Sequence, residues 1–338
     1  MATKRGAHEE PQLGLFAPET TAAVSPALAT EDVELARVLP KDILFGTSTW
    51  TFPGWKDIVY RGHVTTQTLL VGEAGLRAYA AHPLFGTVGI DRSYYNPLTQ
   101  AELEAYAAAL PPGFPCVVKV WSELVSLVLR GTTERNPRFL DVELARETLL
   151  PLVSAFRDHV GALLVPFPPL PLAVLSPDRF ATRLDAFLGT LDLPLPIAVE
   201  VRNRELVTPR YLDVLRSHRA AHVPVFWTGM PTLREQQRTS GLFTTDFAVL
   251  RLMLPPFTRY EDKKAEYAPF NRIVTAQPDM RDDAADLVSL ARAAGVQRVF
   301  VVVNNKAEGS APFTIRALVR TLAERASKQN DERPPQSV

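Results

Sequence analysis

Residues 197–203 read Ile197-Ala198-Val199-Glu200-Val201-Arg202-Asn203, an apolar run that ends in charged and polar side chains. Successive side chains of a β-strand point to opposite faces, so Glu200 and Arg202 share one face while Val199 and Val201 occupy the other. The apolar face suits a covering layer of helices. The run therefore predicts a buried strand that carries charge toward the inside of the fold at its carboxyl end.

Seven further apolar runs are near-continuous rather than alternating, as expected for parallel strands that are covered on both faces. Helix-like segments separate them, and this alternation predicts a parallel α/β fold. Eight strands fit a (β/α)8 TIM-type barrel better than a doubly wound sheet, which usually has a glycine-rich first turn. The predicted strands are Ile43–Gly46, Thr87–Ile90, Cys116–Val120, Ala162–Val165, Ile197–Val201, Pro224–Trp227, Ala248–Leu252 and Val299–Val303.

Helix start signals support this assignment. Thr99, Ser176 and Thr208 each stand where an N-cap residue is favoured, and proline follows the last two directly. No G-x-G-x-x-G or P-loop motif is present, so a dinucleotide or P-loop function loses its main support. The predicted helices include Gln100–Leu110, Val142–His159, Pro177–Leu188, Pro209–Ala221 and Asp283–Ala294.

The two ends of the chain differ from this body in composition. Residues 1–40 are rich in Ala, Thr, Pro and Glu without a sustained period, which predicts a disordered arm. Residues 327–338 are polar and predict a second disordered tail. Residues 41–326 are accordingly predicted to form a single domain.

Charge and cysteine content exclude several classes of protein. The 37 basic and 37 acidic residues cancel, so nucleic acid is not favoured as a partner by net charge. The single cysteine, Cys116, allows no intrachain disulfide and lies in an apolar run that predicts a core position. Neither a signal peptide nor a membrane span is recognisable, so we expect a cytoplasmic protein without a membrane partner.

Polar residues collect at the predicted carboxyl ends of the strands, where barrels carry their chemistry. Burying unpaired charges is very costly, so Lys119, Glu200, Arg202 and Arg251 should form a connected network. Three cations to one carboxylate predict a pocket for a phosphate or carboxylate, with Glu200 as orienter or general base. The competing interpretation is an ion network, completed by Asp91 or Glu123, that closes the top of the barrel.

The candidate residues divide by role. Catalysis is assigned to Glu200, Lys119 and Asp91. No cofactor is predicted, and no metal: His218 and His222 have i, i+4 spacing, but on a helix expected in the outer ring. The ligand-binding candidates are Arg202, Arg251, Asn304, Asn305, Ser48, Trp50 and Tyr95, of which the two aromatic residues could stack on a planar or sugar-like ligand.

Taken in order, these strand ends resemble the DUF72 family, also called YecE-like proteins, TIM barrels with no established biochemical activity. The resemblance implies a TIM barrel over the whole body. It also implies histidines where this chain has Asn203 and Met253, so chemistry built on those histidines is not expected here. The matching motifs are Phe45–Trp50 with Pro53–Trp55, Asp91–Tyr95, Lys119, Gly161–Pro169, Val199–Arg202, Leu250–Leu252 and Val303–Asn305 with Gly309 and Ala311.

A separate peptide lies in the predicted arm. Gln12, Leu13, Leu15 and Phe16 resemble the Q-L-x-L-F peptide by which bacterial replication and repair proteins dock on the DNA sliding clamp. The alternatives are a chance match or a latch that packs on the barrel. Three functions therefore compete: an enzyme or binder of a small anionic ligand, a DNA-maintenance protein recruited to the sliding clamp, and a non-catalytic scaffold.

Overall fold

The computed structural model of the chain describes residues 23–129 and 131–331. The clamp-like peptide, Gln12 to Phe16, lies outside the described residues, so docking on a clamp stays a prediction. Within the described residues, no helix is both long and apolar enough to cross a membrane.

The described chain is an α/β fold with parallel sheets. Every predicted strand is confirmed, although the predicted sixth strand, Pro224–Trp227, is reduced to the two residues of β9 and is preceded by a short strand, β8, that was not predicted. The strands are β1 (Ser25–Pro26), β2 (Ile43–Thr47), β3 (Tyr60–Arg61), β4 (Val88–Ile90), β5 (Cys116–Lys119), β6 (Val160–Pro166), β7 (Ile197–Glu200), β8 (Ala221–His222), β9 (Val225–Phe226), β10 (Phe247–Leu252) and β11 (Arg298–Val303).

The three predicted N-caps are also confirmed, whereas the helix predicted to start at Asp283 begins at Pro278. The hydroxyl of Thr99 accepts a hydrogen bond from the amide of Glu102, and Ser176 and Thr208 cap their helices in the same way. The helices are α1 (Thr30–Val38), α2 (Thr66–Leu70), α3 (Ala74–Ala80), α4 (Gln100–Ala109), α5 (Val142–Ala155), α6 (Pro177–Leu191), α7 (Pro209–Ser217), α8 (Leu233–Gln236), α9 (Tyr260–Tyr267), α10 (Pro278–Ala293) and α11 (Ala311–Asp331).

Two parallel sheets organise these strands. One has the order β4-β5-β6-β7-β8 and the other β2-β11-β10-β9. The amides of Gly86 and Thr87 donate hydrogen bonds to the Phe45 carbonyl (2.9 and 3.2 Å) and so connect one sheet with the other, whereas the amide of Arg251 donates to the Pro224 carbonyl (3.1 Å) beside β9, within the second sheet. Strands β8 and β9 belong to one extended segment, which pairs with β7 at its start and with β10 at its end.

The two faces of the longer parallel strands pack into different apolar clusters. On β10, Phe247 and Val249 belong to a small cluster built from strand residues, whereas Leu250 and Leu252 belong to the large cluster that includes the helices. Because side chains alternate along a strand, Arg251 projects to the same side as the small cluster. The small cluster is therefore the inner core, and Arg251 lies at its carboxyl-terminal end.

The prediction that residues 1–40 form a disordered arm is wrong for the second half of that span. Residues 25–26 pair antiparallel with β3, and α1 follows within the span predicted as disordered. The side chain of Asp32 in α1 is fully buried and accepts two hydrogen bonds from Arg316 on α11. The stabilising partner is remote in sequence, so local composition could not reveal this helix. Helix α11 likewise continues to Asp331, past the predicted boundary at residue 326.

Helix α7 ends earlier than predicted, at Ser217 rather than Ala221. Arg219 adopts a φ of 51°, in the left-handed region, which ends the helix and turns the chain into β8. His218 and His222 therefore lie on different elements: the imidazole of His218 contacts Asp185 at 2.6 Å, whereas that of His222 is buried at 3.1 Å from the Tyr211 hydroxyl.

Candidate functional site

The carboxyl ends of the parallel strands bring most of the predicted site residues together. Lys119 is the last residue of β5, Glu200 is the last of β7, and Arg251 lies one residue before the end of β10. Asp91 directly follows β4, and Asn304 directly follows β11. Since these ends lie on one side of the inner core, the charged side chains meet there, as the alternation of residues 197–203 predicted.

Glu200 is the centre of an ion network. Its side chain has no exposed surface, and one oxygen accepts a hydrogen bond from Nε of Arg202 at 2.8 Å while the other accepts one from Nη1 of Arg251. Burial alone would raise the pKa of this carboxyl group, but Arg251 and Arg202 outweigh burial and hold the pKa at about 2. A carboxylate with a pKa of about 2 is a weak base, so the two ion pairs favour the orienting role predicted for Glu200 over the general-base role.

Arg251 has hydrogen-bonding capacity that the protein leaves unused. Its guanidinium is fully buried, and no described residue accepts a hydrogen bond from Nε or Nη2. These two atoms form one edge of the planar group, the edge that fits two oxygens of a carboxylate or phosphate. Arg316 uses the same edge within this protein, donating to both oxygens of Asp32 at 2.6 and 2.7 Å.

Lys119 and Asp91 form a second ion pair in the site, with 2.7 Å between Nζ and Oδ1. The amine lies 5.5 Å from the centre of the Tyr94 ring. Burial lowers the pKa of Lys119 to about 8, assisted by Arg251 and opposed by Asp91 and Glu200. An amine with a pKa of about 8 is mostly charged at pH 7 and releases its proton as the pH rises through 8.

Arg202 extends the network toward the rim. Its side chain is 18% exposed, and its guanidinium carbon lies 4.1 Å from the centre of the Trp227 ring. Stacking on an aromatic face leaves the edges of the guanidinium for hydrogen bonds. Trp227 follows β9 and holds Arg202 in place, a role that only the tertiary contact reveals.

Lys306 is a site residue that the sequence analysis left out of its candidates. Its side chain is buried beside the rings of Tyr260, at 4.0 Å, and Phe270, at 5.6 Å, and no carboxylate of the described residues forms an ion pair with it. Burial lowers the pKa of Lys306 to about 8, assisted by Lys264 and opposed by Asp91 and Glu261. The sequence could have pointed to Lys306, because it directly follows the candidate residues Asn304 and Asn305. Its burial, however, depends on packing against α9.

The two asparagines have different roles. The amide nitrogen of Asn304 donates to the Ser48 hydroxyl at 3.3 Å, and its oxygen accepts the Lys306 amide at 3.0 Å, so Asn304 links the ends of β2 and β11 to the segment that carries Lys306. The side-chain oxygen of Asn305 instead accepts the amide of Ala311 at 2.8 Å, and its side chain is buried at the start of α11. Asn305 therefore contacts the start of α11 through its oxygen, while no described residue accepts a hydrogen bond from its amide nitrogen, so its ligand-binding role stays a prediction.

The two predicted stacking residues also differ. Trp50 is only 3% exposed, and its ring meets that of Tyr106 edge-on at 5.3 Å, which leaves little surface for a stacked ligand, so its stacking role stays a prediction. Tyr95 is 57% exposed and its backbone carbonyl accepts a hydrogen bond from the Trp121 indole at 3.1 Å. It lines a cleft of about 450 Å³ together with Tyr94 and Pro168 to Pro171. Tyr95 therefore remains accessible beside the Lys119 end of the site.

The two positions where the resemblance implied histidine are structural here. Asn203 forms two hydrogen bonds with the backbone of Leu170, at 2.6 and 3.1 Å, and so holds the proline-rich segment after β6. Met253 is buried in a small apolar cluster. Cys116 is buried in the core, as predicted, and among the described residues no group of three or more His, Cys, Asp or Glu side chains is arranged to hold a metal ion.

The fold and the site define an α/β protein with a cluster of buried charged side chains at the carboxyl ends of its parallel strands. The family model described as "Protein of unknown function DUF72" matches residues 44–337, so the chain belongs to the DUF72 family. No curated protein matches the chain.

Among solved structures, a DUF72 family protein from Enterococcus faecalis V583 is 17% identical, with a TM-score of 0.57 over 83% of this chain and 95% of that one. A DUF72 family protein from Thermotoga maritima MSB8 is 19% identical, with a TM-score of 0.54 over 83% and 98%. At these identities the likeness concerns the fold.

Proposed function

We propose that this protein binds a small anionic ligand, carrying a carboxylate or phosphate group, at the carboxyl ends of its parallel strands. The observation that carries the proposal is the unused edge of Arg251. A buried donor without an acceptor loses its hydration without compensation, which is unfavourable by about 1–3 kcal/mol for each group and more for a charged one. A bound oxyanion would accept both hydrogen bonds, as Asp32 does for Arg316.

We also propose that the two sheets form one (β/α)8 barrel whose mouth is this pocket. Both edges support closure: the amides of Gly86 and Thr87 donate to the Phe45 carbonyl on one side, and on the other β8 and β9 belong to one extended segment that pairs first with β7 and then with β10. Gly46 supports it as well, because a Cβ atom there would lie only 2.0 Å from the Thr87 carbonyl oxygen. The separate inner cluster is what the interior of a barrel would contain.

Within the mouth, the residues have distinct proposed roles. Glu200 holds Arg251 and Arg202 in position, and the free edge of Arg251 grips the anion. Lys119 adds charge and is our candidate for exchanging a proton with the bound ligand, because its pKa of about 8 lies close to neutrality. Asp91 orients that amine at 2.7 Å.

The decisive substitution is Arg251→Lys. It keeps a cation beside Glu200 but removes the two-donor edge, so we expect anion affinity to fall about 10- to 100-fold, the effect of losing about 1.4–2.8 kcal/mol. Calorimetric titration of wild type and variant with phosphate and with acetate measures this, and circular dichroism checks that the variant is folded.

Arg316→Lys is the matched control. It removes the same guanidinium edge from a contact with Asp32 and Glu31 on α1, so it should lower thermal stability and leave anion affinity unchanged. Equal binding by wild type and Arg251→Lys, or the absence of any anion binding by the wild type, would contradict the proposed function.

A further inference from the structure

We propose that the ligand of this site is a dianion, with one anionic group on the free edge of Arg251 and the second negative charge balanced by Lys306. This inference rests on the proposed function and names the charge class of its ligand. It is carried by a second buried cation, on another element, with which no carboxylate of the described residues forms an ion pair.

The charges of the site do not balance. Its cations are Lys119, Arg202, Arg251 and Lys306, whereas its carboxylates are Asp91 and Glu200. Four positive and two negative charges leave a surplus of two. Because buried charge is tolerated when it is neutralised nearby, a ligand with two negative charges completes the site, whereas a monoanion leaves one cation without a counter-charge.

Neighbouring charged groups do not supply the missing balance, since they are paired with each other. On α9, Lys264 lies 3.7 Å from Glu261 and Lys263 lies 2.8 Å from Glu266. The groups that act on Lys306 are Lys264 and Glu261 from α9 and Asp91 from the end of β4, the last already engaged by Lys119.

The surroundings of Lys306 leave its hydrogen-bond donors available to a ligand. Its amine faces two aromatic rings, and a cation over an aromatic face gains about 0.5–2 kcal/mol without using its hydrogen bonds. An ammonium group has three donors. The rings therefore stabilise the cation while its donors stay available to an oxyanion that enters beneath α9.

Two ligand types share this chemistry, a phosphate monoester and a dicarboxylate. At pH 7.5 a phosphate monoester is mostly a dianion because its second pKa is near 6, whereas a phosphate diester is a monoanion. Matched pairs that differ by one charge are therefore ethyl phosphate against diethyl phosphate, and succinate against its half-amide, succinamate.

The experiment measures the affinity of the wild-type chain for these four probes at pH 7.5 by calorimetry. We expect at least one dianion to bind tenfold or more tightly than its monoanionic partner. Lys306→Met, which keeps an unbranched apolar stem against Tyr260 and Phe270, should reduce that ratio to about one. Lys263→Met is the control: Lys263 also lies over a ring, that of Tyr267 at 4.8 Å, but it is already paired with Glu266 and the ratio should survive.

The outcomes separate the two proposals. Equal affinity for mono- and dianions overturns the dianion inference while the anion site stands, and the absence of binding by all four probes overturns both. A preference confined to one pair supports the inference and identifies the ligand type. A folded Lys306→Met or Lys306→Gln variant that keeps the wild-type ratio overturns the assignment to Lys306.

Discussion

At the residue scale, the site depends on how Glu200 is satisfied. The carboxylate is fully buried, yet both oxygens have cationic partners, and Arg251 in turn has no other described acceptor. Breaking a buried ion pair by removing one partner is far more damaging than replacing both, because the remaining charge stays buried without compensation.

Glu200→Gln should therefore destabilise the fold by about 3–5 kcal/mol, since it leaves Arg251 without a counter-charge. Urea denaturation at pH 7 measures the loss.

The double variant Glu200→Gln with Arg251→Met tests the stated cause. It removes both buried charges, so it should be more stable than Glu200→Gln alone. Equal stability of the single and double variants would mean that packing, and not the buried charge, explains the loss.

At the element scale, helix α1 is a part of the fold for which local sequence predicted disorder. Its attachment is ionic: Asp32 accepts two hydrogen bonds from Arg316 and lies 3.4 Å from the imidazole of His82. Burial raises the pKa of Asp32, but His82 and Arg316 together outweigh it and lower the pKa from 3.8 to about 2.

This shift gives a signed prediction for acid stability. A carboxyl group whose pKa is lower in the folded state stabilises the fold above its unfolded pKa, and that contribution disappears as pH falls through the folded value. The Asp32 contribution, about 2 kcal/mol, is therefore complete above about pH 5 and is lost between there and about pH 2.

Asp32→Asn should lower the free energy of unfolding at pH 6 by about 2 kcal/mol or more and reduce its fall between pH 5 and pH 3. Urea denaturation at the three pH values measures both effects. Glu34→Gln, an exposed change on the same helix, should leave them as in wild type. An unchanged acid dependence in a stable Asp32→Asn variant would contradict the role given to this contact.

At the scale of the whole molecule, zero net charge conceals a local surplus. The 37 basic and 37 acidic residues cancel over the chain, but the site holds two more cations than carboxylates. Net charge describes long-range attraction, whereas a pocket responds to the charges within a few ångströms. A neutral chain is thus compatible with a strongly anion-selective site.

The surplus should also appear in the stability of the ligand-free protein. Burial lowers the pKa of Lys306 from 10.5 to about 8, so between these values the unfolded chain binds the proton that the folded chain has released. The contribution of Lys306 to the free energy of unfolding therefore rises with pH between about 8 and 10.5, and it is lowest below about pH 8.

Lys306→Met should accordingly raise the free energy of unfolding at pH 7.5 by about 1–2 kcal/mol, and the gain should shrink at pH 9.5. Denaturation of wild type and variant at both pH values measures the difference. The exposed change Lys56→Met should have the same small effect at both. A gain for Lys306→Met that is as large at pH 9.5 as at pH 7.5 would contradict the pKa argument.

The sequence by itself determined the parallel strands, the N-caps of three helices and the charged face of residues 197–203, and it selected Lys119, Glu200, Arg202 and Arg251. These features follow from the alternation of side chains along a strand and from capping hydrogen bonds, which act between residues a few positions apart. Such patterns can be recognised without knowing what packs against them.

Only the tertiary structure decided that Trp50 is covered by the core, that Asn305 caps a helix, and that Lys306 joins the site. It alone also decided that α1 is folded, because Asp32 meets Arg316 across 284 positions. Burial and pairing of this kind depend on which elements come into contact. A local sequence pattern cannot indicate a partner that lies hundreds of residues away in the chain.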